Sequence, residues 1–366
     1  MKRVSACRST GTERVSGTRS TGTKRVSGTR FIAPVSPFQP GSSYRKNMFW
    51  YIFIIVICAL IIAASFLARA MHRRASELNV VETVFKTSPE AETDAPGSAK
   101  TETARPEKSR FCFISDVHIS MMPVRWGDIL TAVKDAEPEF LLITGDLVNK
   151  PGDIERAKQF IFTLSVGAEI PVIITLGNHD NDVAAGLPGG KAEFRQEFTS
   201  LKGDVRVLDD EYTVVGNVLI GGLNDASARE MPCAPLIAEW EKTAAEKGLE
   251  FVLATHNADL LLEADEGAGQ EKPVSGSLSA APEEERQALG NRFAFCGHTH
   301  GGQIRLVRGI EFSLLKKDKL PKQGIFYGRH SVRGFDVYIT SGIGCAMFPL
   351  RYGTNPEVVV VILSRM

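Results

Sequence analysis

Side chains that bind divalent metal ions stand in five short clusters along the chain. The most distinctive is FCGHTHGGQI at residues 295–304, where His298 and His300 are two positions apart and flanked by glycines. An isolated H-x-H pair is equally compatible with two surface histidines at a strand end, so the other clusters decide its meaning. These clusters contribute candidate ligands of the same chemical kinds: Asp116, His118, Asp146, Asn178 and His256.

The chemistry of this set points to a pair of metal ions. Carboxylate, imidazole and amide groups without a thiolate suit hard or borderline ions such as Mn, Fe, Zn or Mg. Seven candidate ligands exceed one tetrahedral site and match two ions that share a bridging carboxylate. Two ions about 3.5–4 Å apart generate hydroxide at neutral pH and stabilise both oxygens of an in-line displacement at phosphorus. The sequence therefore predicts a binuclear phosphoesterase centre.

Each cluster directly follows a short apolar run that has the pattern of a buried strand. The runs are FCFIS, FLLIT, PVIITL, FVLAT and RFAFC, at residues 111–115, 140–144, 171–176, 251–255 and 292–296. Continuous Val, Ile, Leu and Phe residues bounded by Gly, Pro or polar residues are typical of strands buried on both faces. Ligands of such sheets lie outside the carboxyl ends of the strands. We therefore expect the five clusters to converge on one site.

The order D-x-H, G-D, G-N-H-D, single His and G-H-x-H resembles the calcineurin-like metallophosphoesterase family over residues 108–366. Within that family the chain looks most similar to a bacterial membrane-associated branch, because of the extended GHTHGGQIRL and the closing run VYITSGIGCAMFPLRYGTNPEVVVVIL. That branch includes lipid-directed enzymes, among them a pyrophosphatase acting on UDP-2,3-diacylglucosamine. The resemblance implies an α/β fold, a four-layer α/β/β/α sandwich of two mixed sheets.

The resemblance also implies a role for each candidate residue. One ion would be held by Asp116, His118, Asp146 and His300. The other would be held by Asp146, Asn178, His256 and His298, so that Asp146 bridges. His179 would act beside the leaving group as a proton donor or a hydrogen-bond donor. Asp180 would orient His179 or a ligand, and a helix cap is an equally good interpretation. Every position matches the family pattern, which disfavours a non-catalytic scaffold.

The rest of the domain shows mixed strand and helix patterns. Apolar residues at helical spacing predict helices at residues 126–140, 154–167 and 234–248, and shorter runs predict strands within 204–222, 304–313, 335–341 and 357–364. The polar segment 263–290 is interpreted as a flexible insertion, with a lid as the alternative. Four arginines are candidates for binding a substrate phosphate: Arg125, Arg305, Arg308 and Arg351.

The amino-terminal third predicts a membrane anchor. Residues 48–68 are apolar without a charge, and about 20 such residues span a bilayer, so we expect a transmembrane helix at 48–70. A signal peptide is the competing interpretation. Residues 71–107 have the composition of a flexible linker, and the catalytic domain follows at 108–366. Residues 1–47 carry a basic eleven-residue repeat, expected to be disordered, unless translation begins at Met48.

The expected location is a bacterial inner membrane, with the side of the catalytic domain open. Residues 1–47 hold ten Lys and Arg against one Glu, which would keep the tail in the cytoplasm. A start at Met48 would instead hold the enzyme on the cytoplasmic face. The six cysteines show no disulfide or zinc spacing, and apolar neighbours of Cys112 and Cys296 indicate buried thiols. This favours the cytoplasmic face.

The favoured function is a membrane-anchored phosphohydrolase that needs two divalent ions, with Mn preferred over Fe, Zn or Mg. Its partner would be a phosphorylated, lipid-linked substrate reached at the bilayer surface. The alternative is a nuclease or phosphodiesterase acting on soluble substrates. Since no basic and aromatic groove is evident, no nucleic acid is expected as a partner. Equal numbers of basic and acidic residues, 43 of each, indicate nothing further about partners.

Overall fold

A computed structural model describes residues 42–87, 108–229, 232–263, 275–277, 292–305 and 318–365. The chain divides into two compact units, Met1–Ala59 and Leu60–Met366. The helices are α1 Ser42–Ser76, α2 Trp126–Asp135, α3 Ile154–Ala168, α4 Asn178–Ala185, α5 Gly190–Thr199, α6 Ala234–Lys247 and α7 Lys319–Lys322. The strands are β1 Asn79–Thr87, β2 Lys108–Ile114, β3 Leu141–Thr144, β4 Val172–Thr175, β5 Val205–Leu208, β6 Glu211–Val215, β7 Val218–Leu223, β8 Glu250–Thr255, β9 Ser275–Ser277, β10 Phe293–Cys296, β11 Gly328–Val332, β12 Phe335–Ile339 and β13 Glu357–Arg365.

The first sheet has the strand order β1-β13-β2-β3-β4-β5. Strands β2 to β5 run parallel, with Ile114 opposite Ile143 and Thr144 opposite Thr175. Strand β13 is antiparallel to β2, and β1 is parallel to β13. The carboxyl ends of β2, β3 and β4 therefore lie at the same edge of the sheet as the amino ends of β13 and β1.

The second sheet has the strand order β6-β7-β8-β10-β12-β11-β9. Its central strands β7, β8, β10 and β12 are parallel, whereas the outer strands pair antiparallel. Parallel neighbours need crossover connections. The crossover from β7 to β8 contains α6, which packs Trp240 and Ile237 against this sheet.

The two sheets face each other across an aromatic core, with helices on the outside. In β2, Phe111 and Phe113 point into the space between the sheets, whereas the alternate residues Cys112 and Ile114 pack against the helices. Helices α2, α3 and α5 cover the first sheet. Phe295 of β10 contacts three phenyl rings of the first sheet at centroid distances of 5.1–5.5 Å. The predicted four-layer sandwich of two mixed sheets is confirmed.

The predicted elements of this domain are found with small shifts at their ends. All five apolar runs that precede the site form strands, and helices α2, α3 and α6 occupy the predicted segments. Helices α4 and α5 and strand β11 were not predicted. The segment 263–290 lies outside the described residues apart from β9, and so does most of 304–313.

The predicted flexible linker at residues 71–107 is wrong for residues 79–87, which form strand β1. This strand pairs with β13 over nine residues. Its buried Phe85 contacts Phe293 and Phe295 at 5.3 and 5.2 Å between ring centroids. Burial of a phenyl group between the sheets outweighs the polar composition of this segment. Residues 88–107 lie outside the described part of the chain.

Helix α1 is longer than the predicted span of residues 48–70. Within the described residues, one segment is long and apolar enough to cross a bilayer, Asn47–Ser76. Its apolar side chains are exposed, among them Ile55 and Phe66. The predicted disordered tail, residues 1–47, is wrong for residues 42–47, which belong to α1. Residues 1–41 lie outside the described residues, and a start at Met1 or Met48 stays an open prediction. Only Glu77 and Leu78 separate α1 from β1.

Candidate metal centre

All seven predicted ligands lie beyond the carboxyl ends of central strands. Asp116 and His118 follow β2, Asp146 follows β3, and Asn178 follows β4. The second sheet contributes the remaining three from β8 and β10: His256, His298 and His300. The two sheets thus present these side chains to one another at a shared edge.

The ligand atoms form two groups. Asp116, His118 and His300 are one group, and Asp146, His256 and His298 are the other, each with its ligand atoms within 4.8 Å of one another. The Nε2 atoms of His118 and His300 are 3.2 Å apart. In the second group, His298 Nδ1 lies 3.1 Å from His256 Nε2.

Asp146 lies between the two groups. Its Oδ2 atom is 3.1 Å from His256 Nε2 and 3.5 Å from His118 Nε2. A single carboxylate oxygen therefore reaches one imidazole from each group. The position is the one that a bridging ligand needs.

Hydrogen bonds fix two of the imidazoles in the tautomer that binds metal. His118 Nδ1 donates to Asn149 Oδ1 at 2.6 Å, and His256 Nδ1 donates to the Thr144 carbonyl at 2.7 Å. In its neutral form each ring therefore presents the lone pair of Nε2 to the site. Imidazole nitrogens whose lone pairs approach one another at about 3 Å repel each other, and a cation bound by both nitrogens removes this repulsion.

The described side chains fit a pair of divalent ions. The Oδ1 atom of Asn178 is buried and has no hydrogen-bond partner among the described residues. A buried, unpaired amide oxygen is unfavourable unless an ion or a donor occupies its lone pairs. The candidate ligands at the centre offer only nitrogen and oxygen atoms, a set that suits Mn, Fe, Zn or Mg.

The electrostatics of the centre favour positive charge. Burial alone would raise the pKa of Asp146, but His256 and His118 lower it below its usual range. Burial favours neutral His256, yet Asp146 outweighs it and raises the pKa of this imidazole to about 10. Burial lowers the pKa of His118. A divalent ion at the second group would therefore displace a proton from His256.

Five of the seven candidate ligands have a left-handed backbone. Their φ angles lie between 37° and 71°, and the residues are Asp116, His118, Asp146, His298 and His300. Residues other than glycine seldom adopt this conformation, and it concentrates at functional sites. The conformation turns each chain sharply after its strand and directs the side chain to the centre.

Glycines allow the ligand-bearing loops to approach closely. A Cβ atom on Gly177 would lie 2.2 Å from Asp146 Oδ1, and one on Gly145 would lie 2.5 Å from the Gly177 nitrogen. Neither position has space for a side chain. The Gly-Asp and Gly-Asn-His-Asp motifs are therefore in direct backbone contact.

His179 and Asp180 occupy different positions at the start of α4. The half-buried ring of His179 lies edge-on to His118, with centroids 5.2 Å apart. Asp180 is fully buried and accepts hydrogen bonds from the backbone N–H groups of Gly177, Leu147 and Val148. Burial, with a further contribution from Asp146, raises the pKa of Asp180 to about 7. Asp180 caps α4 and joins it to the loop after Asp146.

Some residues at the centre were not predicted. Asp318 Oδ2 lies 3.3 Å from His298 Nε2, although it is distant from every motif in the sequence. Gly344 packs against the carbonyl of Asp116, where a Cβ atom would lie 2.7 Å away. Only this contact in space, and no local sequence signal, identifies either residue.

The four arginines that are candidates for binding a substrate phosphate have different surroundings. Arg351 is fully buried and donates to the carbonyls of Ser341, Gly342 and Gly344, so it supports the loop against Asp116. Arg125 pairs with Asp128 on the surface. Arg305 donates to the Gly301 carbonyl, directly after His300. Arg308 lies outside the described residues.

The sandwich and its two groups of ligands define a metal-dependent phosphoester hydrolase. The sequence profile of the calcineurin-like phosphoesterase family matches residues 109–302, and the chain belongs to that family. Members of the family bind two divalent metal ions.

Several known proteins are similar to this chain at low identity. The uncharacterised metallophosphoesterase YkoQ of Bacillus subtilis is 22% identical over 265 residues, which cover 69% of this chain and 82% of that protein. The phosphodiesterase YaeI of Escherichia coli is 26% identical over 263 residues, with the same coverage of 69% and 82%. A purple acid phosphatase from yellow lupin is 12% identical, with a TM-score of 0.38, 70% of this chain covered and 54% of that structure.

Proposed function

We propose that this protein is a membrane-anchored phosphohydrolase that uses two divalent ions, with Mn preferred, to cleave a phosphoester or pyrophosphate bond in a lipid-linked substrate. The observation that carries the proposal is the pair of ligand groups joined by Asp146 Oδ2, which lies 3.1 Å from His256 and 3.5 Å from His118. UDP-2,3-diacylglucosamine is the substrate that the resemblance favours.

In this proposal each candidate residue has a stated role. Asp116, His118, Asp146 and His300 would hold one ion, and Asp146, Asn178, His256 and His298 would hold the other. The two ions would supply a hydroxide nucleophile and stabilise charge on the phosphoryl oxygens. His179, beside His118, donates a hydrogen bond to a phosphoryl oxygen or a proton to the leaving group. Asp180 keeps the two ligand-bearing loops together rather than contacting substrate.

The membrane part of the proposal rests on α1. Its segment Asn47–Ser76 has the length and composition of a bilayer span. Its last turn carries Arg73 and Arg74, which suit a membrane surface. We place the protein in a bacterial inner membrane and favour the cytoplasmic face for the catalytic domain, because the thiols of Cys112, Cys233 and Cys296 are free and buried.

The test is hydrolysis by the full chain in detergent, loaded with Mn. The substrates are UDP-2,3-diacylglucosamine, a phospholipid and bis-p-nitrophenyl phosphate, with Asp146→Asn as the inactive control. Cleavage of the UDP-lipid at the pyrophosphate supports the full proposal. A wild-type protein that cleaves none of the three substrates with Mn would refute it.

A soluble phosphodiester is the second candidate substrate. The observation that favours it is the similarity to a protein named as a phosphodiesterase. In the same assay, turnover of the p-nitrophenyl diester together with inert lipids would select this candidate.

A further inference from the structure

An apolar loop at residues 346–350 lies directly against the end of α1. The Arg351 backbone N–H donates to the Met71 carbonyl at 3.1 Å. His72 Nδ1 donates to the Pro349 carbonyl at 3.0 Å. The loop is therefore fixed to the last turns of the helix, and all of these residues belong to the same compact unit.

The strand order places this contact at the edge of the metal centre. Strand β13 is antiparallel to β2, so its first residue, Glu357, lies at the edge where β2 ends. Strand β1 is parallel to β13 and begins at Asn79, opposite Glu357. Because two residues separate α1 from β1, the end of α1 lies at this edge as well. The end of α1 and the candidate metal ligands therefore lie at the same edge of the first sheet.

The loop and the helix end have the surface chemistry of a membrane interface. Met347 is 79% exposed and Phe348 is 58% exposed, which is unusual for large apolar side chains. The neighbouring turns of α1 expose Phe66 and Leu67. Basic residues lie in the last turn of α1, where Arg73 forms an exposed ion pair with Glu77. Apolar groups beside cations suit the boundary between acyl chains and anionic headgroups.

A cavity of about 600 Å³ opens between the helix end and the residues that follow the loop. It is lined by apolar groups and by charged groups of both signs, among them Leu67, Met71, Arg73, Arg74, Glu77 and Tyr352. Arg73 pairs with Glu77, and Arg74 beside the apolar side chains suits a phosphate group attached to acyl chains.

Gln303 connects the loop to the metal-binding motif. This residue lies three positions after His300, in GHTHGGQ. Its Nε2 lies 2.9–3.1 Å from the carbonyls of Ala346, Phe348 and Leu350, and its Oε1 accepts a hydrogen bond from the Ala346 N–H at 2.7 Å. The position of the exposed loop is therefore set by the same segment that carries two candidate ligands.

We infer that residues 346–350 and the basic end of α1 form a second contact with an anionic phospholipid bilayer, in which Met347 and Phe348 enter the interface and the cavity receives a lipid phosphate. This inference rests on the membrane anchoring of α1 proposed above. Phe348 is four positions after Gly344, which packs on Asp116, so the loop tip lies within about 14 Å of that glycine. The metal centre is thereby held close to the bilayer surface, where a lipid-linked phosphate is found.

The test is depth-dependent quenching in the full chain, reconstituted in nanodiscs with doxyl-labelled lipids. A fluorescent label is attached to Phe348→Cys in a chain that also carries C7S and C58S. Burial raises the pKa of the four remaining thiols and hides them from the label: Cys112, Cys233, Cys296 and Cys345. The matched control is a label at Glu246→Cys, since α6 ends just before β8 begins, at the opposite edge of the sheet.

We expect doxyl lipids to quench the label at 348 by at least about twofold and to leave the label at 246 unchanged. In a separate chain that keeps Cys58 and carries only C7S, a label on Cys58, within α1, reports helix insertion. Strong quenching at Cys58 with equal signals at 348 and 246 would overturn the loop contact and leave the anchor intact. An unquenched Cys58 would overturn the anchor, and the loop contact with it.

A second experiment tests the role of the contact in turnover. The double variant Met347→Ser, Phe348→Ser is compared with Phe162→Ser, which removes an exposed phenyl group from α3. We expect the double variant to lower the ratio of lipid to soluble-diester hydrolysis by about tenfold in nanodiscs containing phosphatidylglycerol. An unchanged ratio would contradict the inference. Equal quenching of the label at 348 in purely zwitterionic nanodiscs would overturn the preference for an anionic bilayer.

Discussion

Replacement of Asp180 by asparagine separates a structural role from a catalytic one. Asp180 has no exposed surface, and its two oxygens accept three backbone N–H groups. Oδ1 binds Leu147 and Val148 at 2.8 and 3.2 Å, and Oδ2 binds Gly177 at 3.1 Å. Asparagine keeps one acceptor oxygen, so its amide NH₂ would face the Gly177 N–H donor. One buried N–H group is then left without a partner.

The size of the effect follows from these contacts. An unsatisfied buried N–H group costs about 1–3 kcal/mol. We expect the free energy of unfolding to fall by this amount at pH 6, where the raised pKa of Asp180, about 7, keeps its carboxyl group largely neutral. At higher pH the loss should be smaller, because asparagine has no buried charge to accommodate. A domain of this size should lose roughly 2–10 °C in its unfolding temperature at pH 6.

The same bonds connect the loop of Asp146 to the loop of Asn178. If half of the lost free energy appears in metal binding, the affinity falls by roughly twofold to thirteenfold. Asp180→Asn should therefore lose metal on dialysis and regain turnover when Mn is added in excess. The assay combines thermal unfolding, metal content by mass spectrometry and hydrolysis of bis-p-nitrophenyl phosphate. A variant with the wild-type unfolding temperature and metal content but no turnover would refute the bracing role and indicate direct chemistry.

Four further outcomes are expected. Asp146→Asn should deplete both metal sites together, and loss of a single ion would contradict the bridge between His118 and His256. His179→Ala should retain two ions by mass spectrometry and lose about 100-fold in turnover, whereas unchanged turnover would remove its role. Phe295→Ala, which deletes a ring in contact with three others, should lower the free energy of unfolding by about 3–5 kcal/mol in denaturant titration. Cys112 should resist iodoacetamide at pH 8, because burial raises its pKa to about 12, and rapid alkylation of the folded protein would contradict this.

The sequence is informative about the centre because each ligand directly follows an apolar run. Apolar runs identify buried strands, and parallel strands deliver their carboxyl ends to one edge. Asp116, Asp146 and His256 could therefore be placed together without coordinates. The buried thiols of Cys112 and Cys296 were likewise predicted from their apolar neighbours and are confirmed.

Other features depend on partners that are remote in the chain. Strand β1 has the composition of a linker and gains its structure from β13, more than 270 positions further on. Asp318 reaches His298 only because α7 packs beside the segment after β8. Sequence spacing alone does not distinguish a helix cap from an orienting residue at Asp180. The hydrogen bonds that Asp180 accepts come from N–H groups of two different loops. Long-range contacts of this kind leave no local pattern.

The left-handed backbone at five candidate ligands bears on how this protein would respond to selection. An aspartate or histidine at such an angle is less stable than glycine by about 1 kcal/mol or more at each position. A variant library screened for heat resistance alone should therefore accumulate glycine or asparagine at residues 116, 118, 146, 298 and 300. Folding does not explain why charged and imidazole side chains occupy these turns. The proposed binding of two metal ions would account for these side chains, at a cost in backbone stability.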